Sequence, residues 1–237
     1  MIKKLNQTWT PPKNLKISDW ADTYRKLSPE SSAEAGQWRT DRAEYQREIM
    51  DAFNDPDTQR IVFMKSAQVG ATEILLNVIG YYIDQDPSPM LIMQPTLAMS
   101  QAFSKDRLSA MIRDSEKIRD CVKDARSRDS GNTVLSKKFA GGNLNIVGSN
   151  SAAGLASRPI RIVLADEVDR YEQSAGAEGD PISLATKRTT TFWNKKIYMC
   201  STPTIKGLSR IEAAFEESDK RYYNVPCPEC NHKQILK

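Results

Sequence analysis

The sequence predicts an α/β fold, a mostly parallel β-sheet flanked by helices. Three observations predict it. Short apolar runs recur at 60–64, 90–93, 160–164 and 197–200, as expected for strands buried on both sheet faces. Segments with helical spacing of apolar residues lie among them, as crossovers between parallel strands require. Three of the runs end in polar clusters, at the strand ends where ligands gather in such sheets. The chain has 237 residues, enough to bury a substantial core.

Residues 1–40 read as a polar, Trp-bearing lead-in punctuated by Pro11-Pro12, Ser28-Pro29 and Ser31-Ser32. Tyr45, Ile49, Met50 and Phe53 predict a helix over 41–53, broken by Asn54-Asp55-Pro56-Asp57. Arg60 to Met64 is a strand, and Lys65 to Gly70 a polar connection. Thr72 to Ile83 is a helix, with Ile74, Leu75, Val78, Ile79 and Tyr82 on one stripe. Met90 to Met93 is a strand, and Leu97 to Ile112 a second amphipathic helix. Residues 137–139 and 143–147 flank Ala140-Gly141-Gly142, a hairpin signal. Residues 160–164 and 197–200 are further strands, and a helix is expected over 209–217. The main domain is therefore placed at 41–220, and 221–237 begins a linker.

Composition narrows the function. Thirty-four Lys+Arg against 30 Asp+Glu leave a net charge of +4. That is far from the basic stripe of a dedicated DNA-binding module, so DNA contacts must come from local patches. The longest strongly apolar stretch, Ile74 to Ile83, is interrupted by Asn77. It is well short of the roughly 20 residues that span a bilayer. Residues 1–7 lack the apolar core of a signal peptide. Four cysteines, at 121, 200, 227 and 230, fit a reducing compartment.

Lys65-Ser66-Ala67-Gln68-Val69-Gly70-Ala71-Thr72 joins a strand to a helix. Its Gly70 and Thr72 fall in register with the second Gly and the Ser/Thr of a phosphate loop, G-x-x-x-x-G-K-[ST]. The lysine stands at the first position, Lys65, and Ala71 occupies its usual place. Gly70 lets backbone approach phosphate, and the helix start near Ala71 offers free N–H groups and a positive dipole end. Thr72 supplies a hydroxyl for Mg²⁺. The segment alone also reads as a plain strand-to-helix turn.

The run Ile160 to Leu164 delivers Asp166 and Glu167 at a strand end, the Walker B pattern. Adjacent side chains on a strand diverge, so Asp166 is assigned to the metal and Glu167 to the attacking water. An acidic turn of Asp166, Glu167 and Asp169 opening a helix is the alternative. Ser201-Thr202-Pro203-Thr204 follows the last strand, where motor ATPases sense the γ-phosphate.

These segments, with Ser157-Arg158-Pro159 before the Walker B strand and Cys227-Pro228-Glu229-Cys230 at the end, resemble the large terminase subunit of tailed phages, phage lambda type. Ser18 to Ala21, Glu30 to Ser32 and Tyr45 to Met50 match the same family. The resemblance implies a P-loop NTPase of the ASCE (RecA-like) type that uses ATP and Mg²⁺. It implies a motor that drives double-stranded DNA into a procapsid. The expected partners are a small terminase subunit, the portal protein and further copies in a ring, in the host cell cytoplasm. It accounts for the Lys-first loop and makes Trp38, Tyr45 and Gln46 an adenine-contacting stretch, with a core anchor as the alternative for Trp38. A nuclease domain absent from this chain is expected to follow.

Two departures stand out. Related loops often carry Arg at Gln68, so a cation for hydrolysis must come from elsewhere; Arg158, Arg107 and Arg113 are candidates. Relatives can have Lys at Glu73, which is expected to face outward, paired or solvated. Cys227 and Cys230 supply two ligands of a zinc site that needs four, so zinc is not expected to bind here. A DNA-gripping loop is placed in 123–138, where Lys123, Arg126, Arg128, Lys137 and Lys138 cluster. A superfamily-two helicase-like ATPase and a non-enzymatic DNA-binding or assembly module remain as alternatives.

Overall fold

The computed structural model describes residues 15–30, 32–122 and 131–235. Helix α1 (Ile17–Tyr24), strands β1 (Lys26–Leu27) and β2 (Gly36–Gln37), and helix α2 (Tyr45–Asp51) come first. Then follow β3 (Arg60–Met64), α3 (Ala71–Asp84) and β4 (Pro89–Gln94). Helices α4 (Leu97–Ala102), α5 (Ser109–Asp114) and α6 (Glu116–Cys121) lead to the hairpin β5 (Ser136–Phe139) and β6 (Gly142–Gly148). The rest is α7 (Ala152–Ala156), β7 (Ile162–Asp166), α8 (Pro181–Lys187), β8 (Lys196–Ser201) and α9 (Arg210–Glu216), ending in the hairpin β9 (Asn224–Pro226) and β10 (Lys233–Ile235).

The central sheet runs β3-β8-β7-β4-β6-β5. Its pairs are parallel except β5, which returns antiparallel to β6. Side chains alternate between two cores. Met90, Ile92, Ile162, Leu164, Tyr198 and Cys200 face one, with α1, α2 and α3. Leu91, Met93, Val163, Ala165, Ile197 and Met199 face the other, with α8 and α9. The alternation of directions along each strand, with apolar residues on both, is why the runs read as continuously hydrophobic.

Helix α3 is buried nearly all round, not on the one predicted stripe. The reason is the segment expected to be a lead-in. Helix α1 lays Ile17, Trp20 and Ala21, all fully buried, over the outside of α3. Trp20 donates from Nε1 to Asp84 Oδ2 at 2.8 Å, fixing its ring above Gly80. A Cβ at Gly80 would sit 2.8 Å from Trp20 Cζ3 and 2.9 Å from Ile118 Cδ1. Gly80→Ala is therefore expected to destabilise the fold. Overpacking costs about 1–3 kcal/mol, against a helix-propensity gain of ~1 kcal/mol. The check is a lower urea midpoint at unchanged slope.

The single helix expected over 97–112 is interrupted. Phe103–Leu108 form a π-helical turn, and Ser109 Oγ donates to Ser104 O at 2.7 Å, five residues back.

Candidate active site

The parallel register assembles the site at the carboxyl ends of the strands. Lys65 N–H donates to Ser201 O at 3.1 Å, which extends the β3–β8 ladder one step into the loop. Gln68 (φ 62°) and Gly70 (φ 74°) then take left-handed backbone to turn the chain into α3. Gly70 is required there, because a Cβ would come 2.5 Å from Gln46 Nε2. The loop is braced from α2: Tyr45 OH and Gln46 Nε2 donate to the same carbonyl, Val69 O, at 2.9 and 3.0 Å. Ser66, Ala67 and Gln68 are exposed, and Thr72 is half-buried one residue past the helix start at Ala71. The first N–H groups of α3 have no intrahelical partner, so the loop keeps the donors that an anion needs.

Lys65 Nζ donates to Glu167 Oε1 at 2.8 Å, with the lysine side chain 7% exposed. Glu167 itself is left-handed (φ 56°), a costly state for a non-glycine residue that aims its carboxylate back at the loop. The two motifs recognised separately in sequence are thus one ion pair. Arg170 Nε lies 3.8 Å from Glu167 Oε2, a cation that sequence reasoning missed.

Asp166 is more deeply set. It pairs across the sheet with Cys200 and stands beside the β4 end. Cys200 Sγ donates to its Oδ1 at 3.1 Å, and Gln94 Nε2 to its Oδ2 at 3.0 Å. Burial raises the Asp166 carboxyl above its ordinary value, and the two hydrogen bonds oppose that only in part. Burial likewise raises the Cys200 thiol, which keeps its proton to donate. A carboxylate desolvated in this way is a fit for a divalent cation, with Thr72 as the hydroxyl partner. The raised value has a cost. Folded protein holds this proton more tightly than unfolded protein, so stability falls as pH rises from 3.8 through the folded value. Asp166→Asn is expected to raise the denaturation midpoint at pH 7, flatten that decline and abolish turnover. Midpoints measured from pH 4 to 8 check it.

Asp169, which the sequence offers only as part of an acidic turn, ties the third cluster to the second. Its Oδ2 accepts from Thr204 N and Oγ1 at 3.0 and 3.1 Å, and its Oδ1 from Ile211 N at 2.8 Å. Its own N–H donates to Ser201 Oγ at 3.3 Å. Burial alone would raise its carboxyl, but the donors from Ser209, Ile211 and Thr204 hold it below its ordinary value. Ser201 is buried at the strand end, Thr202 half-buried and Pro203 exposed.

Other expected residues sit elsewhere. Trp38 is a core residue, 6% exposed with Nε1 donating to Thr40 Oγ1, so its ring offers no face to a base. Glu73 is paired rather than solvated: Arg25 Nη2 donates to its Oε2 at 3.0 Å, and the pair is largely buried, which the sequence did not foresee. Arg113 is not a spare cation: it is committed to Glu30, Ser28 and Asp114. Arg158 is exposed beside a 150 Å³ cavity lined by Leu91, Leu155 and Ile160, and Arg107 is half-buried in the π-helical turn. Lys137 is 8% exposed and donates to Thr133 O at 2.6 Å, so it does not face DNA. Lys138 is exposed, whereas Lys123, Arg126 and Arg128 lie outside the described residues. Cys227 and Cys230 occupy the β9–β10 turn, where the N–H groups of Cys230 and Glu229 hold the Cys227 thiol below its ordinary value. Among the described residues, no three His, Cys, Asp or Glu side chains are grouped to hold a metal. Nor is any described helix long and apolar enough to cross a membrane.

A braced phosphate-type loop, a lysine on a strand-end glutamate and a buried aspartate meet at the carboxyl ends of the strands. Comparisons with known proteins identify the family. The chain is 33% identical over 230 residues to the large terminase subunit of Enterobacteria phage P21, covering 95% of this chain and 35% of that protein. It is 30% identical over 222 residues to that of Escherichia phage lambda, covering 92% and 34%. The chain thus spans about a third of the length of these relatives. The ATPase domain of the Thermus phage P74-26 large terminase, in mutant and unmutated forms, shares the fold with TM-scores of 0.54 and 0.51 at 15% and 14% identity. Each covers 81% of this chain and 76% of the other. The family model for the phage terminase large subunit gpA, ATPase domain, matches residues 32–237, and the chain belongs to that family.

Proposed function

We propose that this domain couples ATP hydrolysis to translocation of double-stranded DNA into a procapsid. The observation that carries the reading is the Lys65–Glu167 ion pair, which joins the phosphate loop to the strand-end glutamate. Lys65 cannot serve a phosphate and Glu167 fully at once. Arriving γ-phosphate competes for the ammonium and releases Glu167, so the carboxylate becomes available to orient water only when substrate is seated. Catalysis of this kind is positioning and charge stabilisation. Thr72 and Asp166 would hold Mg²⁺, which would supply positive charge against the phosphates. Arg170 is near enough to Glu167 to steady the released carboxylate.

Asp169 supports the coupling half of the proposal. It sits two residues from Glu167 and bonds both the 201–204 segment and the start of α9. A shift of Glu167 on phosphate release is thereby passed to the outer surface. Association with a small terminase subunit and the portal, and a ring of copies in the host cytoplasm, belong to the same reading. DNA contacts by exposed lysines such as Lys138 would be sequence-independent and weaken with salt. Isothermal titration with ATP and Mg²⁺ tests the core of it: saturable one-to-one binding is expected, and none at millimolar ATP would overturn it.

A further inference from the structure

The strap that follows α9 returns to the phosphate loop. Tyr222 packs edge-on against Phe215 of α9, ring centroids 5.5 Å apart. Arg221 pairs with Glu48 of α2. Tyr223 meets Tyr45 of α2, centroids 5.8 Å apart and planes at 68°. Tyr45 is the residue whose hydroxyl is spent on Val69 O, so its ring stands beside the loop. The two rings make an open corner there, and Tyr223 remains 52% exposed. Next to Tyr45, Gln46 is 3% exposed and braces the same carbonyl through Nε2.

We propose that Tyr223 is a base-contacting residue, and that it forms with Tyr45 the seat for the purine ring of the nucleotide. The inference rests on the ATP reading of the phosphate loop. Trp38, the other aromatic at hand, is committed to the core. A half-exposed tyrosine steeply inclined to a second supplies the flat face that a base stacks on. The consequence is that the segment entering the Cys227–Cys230 hairpin touches the nucleotide directly.

The test compares ATP with inorganic tripolyphosphate, each with Mg²⁺, on wild type, Tyr223→Ala and Tyr223→Phe. Tyr223→Ala is expected to weaken ATP binding by roughly 5- to 150-fold, the range of losing one base–aromatic stack. Tyr223→Phe should keep wild-type affinity, and tripolyphosphate binding should be the same in all three. Unchanged ATP affinity in Tyr223→Ala, or equal losses for both ligands, overturns the inference and leaves the phosphate site standing. A wild-type protein that binds neither ligand overturns the ATP reading itself, and this inference with it. Tyr223 is exposed, and matching thermal midpoints confirm that the variants fold.

Discussion

Glu167→Gln is expected to bind ATP as tightly as wild type and to turn it over about 10²–10⁴-fold more slowly, the usual worth of a positioned general base. The geometry separates the two effects. Glutamine keeps an oxygen at the position that accepts from Lys65 Nζ at 2.8 Å, so the empty loop keeps its brace. What is lost is the carboxylate charge that polarises water once phosphate has taken the lysine. The expected signature is a fall in kcat with little change in KM or in thermal midpoint. Measured turnover near the wild-type rate would reject Glu167 as the base and move the role to another carboxylate.

Lys65→Ala should act on the other side of the same pair. Its side chain is nearly buried, so its ammonium meets phosphate with little competition from water. Losing a charge-assisted hydrogen bond of that kind costs about 1.5–3 kcal/mol, or roughly 10- to 150-fold in Kd for ATP. The empty protein should be destabilised as well. Glu167 would be left with Arg170 at 3.8 Å as its nearest cation among the described residues. Adding Glu167→Gln to Lys65→Ala should then recover part of the lost stability, because the stranded charge is gone. Titration and denaturation of the single and double variants check both parts. Unchanged ATP affinity in Lys65→Ala would refute the Lys-first loop.

Much of this site was legible because its chemistry is local. Lys65 to Thr72 and Asp166-Glu167 each lie on one stretch of chain, and strand ends that carry polar residues announce themselves against apolar runs. The long, strongly periodic pieces, β3, α3, β4 and β8, were legible for the same reason. What was not legible depends on distant partners. Helix α1 is eight residues long among polar neighbours, and nothing nearby shows that Trp20 will cover Gly80. Arg25 reads as a solvated base, yet it is buried against Glu73, 48 positions later. Cys200 and Gln94 look like ordinary strand residues, and only the order β8-β7-β4 sets them on either side of Asp166. Asp169 was legible as the third acid of an acidic turn, but not its bonds to the 201–204 segment and the start of α9, which lie more than thirty positions on. Trp38 misled because an aromatic near Tyr45 and Gln46 reads equally as a base contact or a core anchor, and burial decides for the anchor.

The contacts around the nucleotide site close on themselves. Lys65 holds Glu167; Asp169 holds the start of α9; Phe215, near its end, holds Tyr222; Tyr223 holds Tyr45; and Tyr45 holds Val69, four residues from Lys65. In mechanical terms this is a closed linkage of stiff bars, which has fewer independent motions than an open chain of the same pieces. Widening one joint obliges another to turn. The joint with least resistance is the exposed one, where Arg221 meets Glu48 with both side chains more than two-thirds in solvent. On the proposed reading, a phosphate inserted between Lys65 and Glu167 would load this linkage, and the Arg221–Glu48 joint would be the first to yield.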